Sequence, residues 1–179
     1  MGRVHALALA VVACFTATTH VSAQSTARDI LRQGMDARGY QATYEGRENS
    51  LEDAQGRFDG LQVSEGRAWV PAGNAGSYLM IIRNTTNQAY CFWPKLSLSP
   101  ADWIVSKRDQ RSSVEPGAHE VLMVANVSPN VDMRTRYALA YWKPDETRPR
   151  GSQCSASEPA GLQEWLATSN SGDFRGSVR

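Results

Sequence analysis

Few side chains in this sequence have the type and spacing that chemistry needs. Histidine occurs at His5, His20 and His119. The first two fall in an amino-terminal stretch that reads as a removable leader, so an imidazole base has to be His119 and a multi-histidine metal site is excluded. His119 follows Glu115-Pro116-Gly117-Ala118 at the start of an apolar run, where a surface histidine at a strand edge is the plainer expectation. With Met80, Met123 and Met133 it could form a copper site, since thioether and imidazole suit soft metals. Those residues are scattered, and methionine fills cores as a matter of course, so no metal ligand and no cofactor are assigned.

Nucleophile and phosphate motifs are missing as well. No G-x-S-x-G, H-E-x-x-H, P-loop or dinucleotide glycine pattern occurs, and the carboxylates do not stand in an arrangement that marks a glycosidase. A small secreted hydrolase would have to assemble scattered Asp and Glu into a pocket with few charge partners. Catalytic residues are therefore not assigned, and binding is favoured over catalysis. Five tryptophans are many for this length, and Trp serves both as core filler and as interface anchor. Trp93 and Trp142 lie in strong strand candidates and are expected to be core residues. Trp69, before Pro71, and Trp103, after Pro100-Ala101-Asp102, are the candidate recognition residues.

Residues 1–23 carry the marks of a secretory signal peptide: Arg3 and His5, an apolar stretch from Ala6 to Phe15, and Val21-Ser22-Ala23 as a small-x-small cleavage site. The apolar run is about half of the ~20 residues that cross a bilayer as a helix, and no later run is long enough to span. The mature chain is expected to be exported, periplasmic or extracellular, without stable membrane insertion. Removing Arg3 leaves 19 − 1 = 18 basic against 18 acidic residues. This balance lends nothing to a nucleic-acid partner, which calls for a basic stripe. Cys14 leaves with the leader, so Cys91 and Cys154 remain in an oxidising compartment and are expected to pair. Their spacing is unlike the close pair of a redox catalyst, so the bridge reads as a staple.

The elements that must position these residues fall in three stretches. Residues 24–65 are polar, with glycine at Gly34, Gly39, Gly46, Gly56 and Gly60, and read as a flexible extension. One short helix is expected there from about Thr26 to Met35, with Ile30, Leu31 and Met35 on one side. Residues 66–154 read as a β-sandwich domain, because short runs rich in Val, Ile, Tyr and Trp alternate with turn residues. The candidate strands are Gly66 to Val70, Ser77 to Arg83, Ala89 to Lys95, Trp103 to Ser106, His119 to Val124 and Thr135 to Trp142. Turns are expected at Pro71-Ala72-Gly73-Asn74, Asn84-Thr85-Thr86-Asn87, Glu115-Pro116-Gly117 and Ser128-Pro129-Asn130. Residues 155–179 read as a tail with a short helix bearing Leu162, Trp165 and Leu166, frayed from Ser169 onward. The fold class is all-β, an immunoglobulin-like β-sandwich with short helical segments near both ends. Asn84-Thr85-Thr86 and Asn126-Val127-Ser128 match the N-glycosylation pattern, which matters only in a host that modifies it.

The stretch Ser77-Tyr78-Leu79-Met80-Ile81-Ile82-Arg83-Asn84-Thr85-Thr86, followed by Val114-Glu115-Pro116-Gly117-Ala118-His119, resembles immunoglobulin-like domains of exported bacterial proteins. There a strand ends in an Asn-x-Thr turn and a later strand starts after Pro-Gly. Tyr141-Trp142-Lys143-Pro144 is similar to the end of the closing strand in the first domain of periplasmic pilus-assembly chaperones. The resemblance covers under half of the chain. Val124 to Thr135 is shorter than the corresponding family segment, and Arg136 stands one residue out of step with a basic position that anchors subunits in that family. The resemblance implies an exposed edge strand able to accept a partner strand. It points to a protein partner of the envelope or cell surface, with Arg136 as a third candidate binding residue. The oligomeric state is left open.

Overall fold

The computed structural model describes residues 26–52, 58–71, 76–99, 101–128, 132–149, 151–154 and 171–177. The expected leader at 1–23 and the expected helix bearing Leu162, Trp165 and Leu166 lie outside the described residues. The described chain is almost all β, with two antiparallel sheets and one short helix.

The helix α1, Ala27–Asp36, begins where its sequence says it should. Thr26 Oγ1 accepts from the Asp29 amide at 3.1 Å, while the Asp29 carboxylate accepts from the Thr26 amide at 3.2 Å, a reciprocal cap that satisfies donors left over at a helix start. Ala27, Leu31 and Met35 recur every four residues and are buried. Gly39, at φ +73°, turns the chain out of the helix.

One sheet contains β1 (Thr43–Glu52), β2 (Phe58–Trp69), β3 (Gly76–Asn84), β7 (His119–Val127) and β5 (Ile104–Lys107), in that spatial order. The other contains β6 (Ser112–Val114), β4 (Tyr90–Ser99), β8 (Asp132–Trp142) and β9 (Ser171–Ser177). A 3-10 turn, Ala101–Trp103, carries the chain from β4 in one sheet to β5 in the other.

Two apolar cores follow from strand alternation. Leu61, Val63, Tyr78, Met80 and Ile82 of the first sheet meet Phe92, Leu96, Leu98, Met133, Tyr137 and Leu139 of the second. On the opposite face of the first sheet, Ala68, Leu79 and Ile81 pack under Ala27, Leu31 and Met35 of α1. Strand β3 is therefore buried on both faces along its whole length, which is why it reads as an unbroken apolar run and not as an alternation. Gly66 lets the helix sit this close, because a Cβ there would lie 2.7 Å from backbone atoms of Ala27 and Arg28.

Asn84 organises the turn after β3. Its Nδ2 donates to the carbonyls of Gln88 at 2.6 Å and Val114 at 3.2 Å, and its Oδ1 accepts from the Thr86 amide at 3.0 Å. Thr85 docks the turn onto β2 by donating its amide to the Gly60 carbonyl at 2.8 Å. The Asn84 amide is thus engaged and buried, while Asn126 of the second glycosylation pattern is exposed. Cys91 and Cys154 are joined, with Cα atoms 5.4 Å apart, and this bridge fastens residues 151–154 to β4.

Two expectations are corrected. The described residues between 26 and 65 are not an extension of the domain: beyond α1 they supply β1 and Phe58 to Glu65 of β2. Polar residues can form these strands because Glu45 and Glu48 are paired with Arg67 and Arg83 and the helix covers one face. The expected fraying after Ser169 gives way to β9, which pairs with β8 from Asp132↔Ser177 to Ala138↔Ser171. The candidate strands are all present: β5 is shifted by one residue from Trp103 to Ser106, and the others are longer than expected.

Candidate interaction edge

The residues singled out from sequence go to separate places. Trp69 ends β2 and is buried, and Trp103 sits in the 3-10 turn packed against the core between the sheets. Arg136 lies exposed on β8, with Ser97 and Asp173 as its register neighbours. Trp69 thus belongs to the first sheet, Arg136 to the second, and Trp103 to the turn that leads from one to the other. Trp93, assigned to the core from sequence, is only half-buried. Its ring carries the Arg111 guanidinium 5.1 Å from the centroid, and its Nε1 donates to the Asp109 carbonyl at 3.2 Å.

The soft-metal set is also split. Met80 and Met123 are cross-strand partners buried in the core between the sheets, and Met133 belongs to the same core. His119 instead stands at the start of β7 opposite Arg83. Burial, and secondarily the charge of Arg83, hold its pKa below the usual histidine value. Among the described residues no cluster of three His, Cys, Asp or Glu is placed to hold a metal.

Most described carboxylates have a basic partner. Glu48 meets Arg83 at 2.5 Å, Glu120 meets Arg108 at 3.0 Å, Asp109 meets Lys107 at 3.1 Å, Asp145 meets Arg148 at 3.2 Å, and Glu45 meets Arg67. Burial pushes the Glu120 carboxyl up, with Arg108 opposing. Glu65 is fully buried between the sheets, accepting from the Tyr78 hydroxyl at 2.8 Å and from Thr135 Oγ1 of the other sheet at 2.9 Å. These hydroxyls replace part of the hydration that burial removes from the carboxylate, so Glu65 acts as a polar tie between the two layers.

The sheet edges carry the more specific information, because an edge strand presents unpaired backbone donors and acceptors to other chains. β5 is guarded: it is four residues long, it ends in Lys107, and its register shifts between Ile104 and Ser106, making Val105 a bulge. β6 has three residues. Past β6, the outer side of β4 runs on through Trp93 to Pro94 and Lys95, the last two being residue types that blunt an edge by removing a donor and adding charge. β9 spans seven residues, two of them glycine, which weakens a strand.

β1 is the longest of these edge strands, and its register is irregular only at its far end, between Ser50 and Glu52. It runs ten residues from Thr43 to Glu52 with no proline and no lysine, and its pairing to β2 is continuous from Thr43↔Trp69 to Ser50↔Gln62. Among the described strands none pairs with its outer side. It is also held straight from behind. Glu45 is paired with the buried Arg67, Glu48 with Arg83, and the Tyr44 hydroxyl donates to Asp36 of α1 at 3.2 Å. Gly46 lies directly under Arg28 of the helix, where a Cβ would be 2.9 Å from the Arg28 Cβ. Sequence reasoning missed this edge because its anchors are charged. The available signal was the spacing of Glu45 and Glu48 against the basic residues Arg67 and Arg83.

No protein family matches the sequence, and no curated protein matches it.

Proposed function

We propose that the protein is an exported, non-catalytic binding or assembly protein of the cell envelope or surface, built as an immunoglobulin-like sandwich that receives a partner strand along β1. The observation that carries this reading is the contrast among edges. β5, β6 and the far side of β4 are each blunted, whereas β1 offers ten residues of backbone on a strand fixed by two ion pairs and a helix. A prearranged edge lowers the ordering cost that a partner strand meets on docking. Export is supported by the leader pattern at 1–23 and by the Cys91–Cys154 bridge, which belongs to oxidising compartments. Among the described residues no helix is long and apolar enough to cross a membrane.

The test compares the tagged full chain with Arg47→Pro and Glu48→Pro as baits for the envelope fraction of the native host. Successive amides of an edge strand point alternately to the neighbour and to the outside, so one proline removes an outward donor and the other breaks the β2 ladder. Thermal melting tells which is which. An envelope protein held by the wild type and lost in the proline variant that melts like wild type supports the reading. Clients held equally by all three baits would remove β1 from the binding surface, and capture of nothing above background, neither an envelope protein nor the host's own copies of this chain, would overturn the binding reading.

A further inference from the structure

We propose that the strand received by β1 is β1 of a second copy, paired antiparallel about a twofold axis at Gly46. The inference rests on the reading of β1 as an open edge and adds the identity of its occupant.

A continuous antiparallel sheet across a twofold axis places each residue opposite a residue on the same face. Only registers centred on a single residue satisfy this, since neighbouring residues of a strand face opposite sides. Centring on Gly46 sets Glu45 opposite the partner's Arg47, Tyr44 opposite the partner's Glu48 and Thr43 opposite the partner's Asn49, each pair occurring twice. Moving the centre to position 45 sets Glu45 against Glu45, moving it to 47 sets Arg47 against Arg47, and moving it to 48 sets Glu48 against Glu48. Like charges directly opposite one another destabilise a sheet, and opposite charges favour it, so the order Glu45-Gly46-Arg47-Glu48 is complementary to itself in one register.

That register also fits the shape of the strand. The pairing from Thr43 to Asn49 stops short of the irregularity between Ser50 and Glu52, where a bulge would end the ladder. Gly46, at the axis, adds no side chain where the two main chains come together. The Arg28 stem overlies Gly46 on the helix side, so both Arg28 side chains approach the axis with Glu48 of both copies on the same face. The two five-stranded sheets would continue as one, and each copy would cover the edge that the other leaves open.

The test uses the full chain with its native disulfide in place. Wild type is expected to sediment as a dimer whose population rises with concentration. Thr43→Cys combined with Asn49→Cys should give a covalently linked dimer on mild oxidation, with peptide mapping showing the 43–49 link, because directly opposed residues bring their Cβ atoms to about 4.5–5.5 Å. Each single cysteine variant should stay unlinked. Arg47→Glu, which turns two attractive pairs into repulsive ones, should weaken dimerisation about tenfold while melting like wild type as a monomer. A wild type that stays monomeric at every concentration, or single variants that link as readily as the double, would overturn self-pairing. If the chain is monomeric yet loses a captured envelope protein through the edge-blocking proline, self-pairing falls while the edge reading stands.

Discussion

At the scale of single residues, the charged side chains of this protein act mainly as structural ties. Glu65 holds the two sheets together through Tyr78 and Thr135, and Glu45 and Glu48 fasten the edge strand to Arg67 and Arg83. His119 illustrates what burial does to such a group. Burial first, and the charge of Arg83 second, lower its pKa beneath the ordinary 6.5. The unfolded chain therefore takes up a proton, as pH falls through the ordinary value, that the folded chain resists until lower pH. Stability from this source is present at neutral pH and is lost on acidification between the unfolded and the folded value. Urea unfolding of wild type at about pH 7.5 and about pH 5.5 should show a loss of stability that His119→Gln diminishes. An unchanged pH dependence in that variant would mean the imidazole is not shielded. Because the methionines are core residues and His119 is held opposite Arg83, the sequence-level copper grouping reflects side-chain type without shared position.

At the scale of elements, legibility followed the apolar pattern. β3 was readable as Ser77 to Arg83 because a strand buried on both faces must be continuously apolar, and α1 was readable because Leu31 and Met35 lie on one face above a polar cap. β1 was not readable: in Thr-Tyr-Glu-Gly-Arg-Glu-Asn-Ser-Leu-Glu only Tyr44 is seen to pack on an apolar core, and the charges of Glu45 and Glu48 are compensated by Arg67 and Arg83, twenty-two and thirty-five residues away. β6 is too short for any periodicity to register. The candidate site was illegible for a related reason, since being an edge is a property of the pairing order and leaves no local signature. The contact between α1 and the first sheet is testable at Gly66. An added methyl group would meet helix backbone at 2.7 Å, and backbone cannot swing aside as a side-chain tip can. Gly66→Ala should therefore lower stability by about 1–3 kcal/mol through overpacking, with the change visible in the midpoint of a denaturant melt. No loss of stability would mean that α1 is not seated on this strand.

At the scale of the whole molecule, two antiparallel sheets share one core, a helix closes the outer face of one sheet, and a disulfide secures a segment remote in sequence. The bridge between Cys91 and Cys154 spans 63 positions, a loop whose closure constrains the unfolded chain by an amount worth about 4 kcal/mol in the chain-entropy account. Cys91→Ser with Cys154→Ser should show a loss of that order in a denaturant melt, and reduction of the wild type should reproduce it. Were both to melt like the oxidised protein, the bridge would not be a staple. Whether the outer side of β1 is open is answered directly by residue-resolved amide hydrogen exchange. In dilute protein, alternate amides between Thr43 and Asn49 should exchange quickly while the intervening ones, bonded to β2, stay protected; at high concentration the fast set should slow. Protection of every β1 amide in dilute, monomeric protein would mean that the edge is already covered, and would contradict the proposed binding surface.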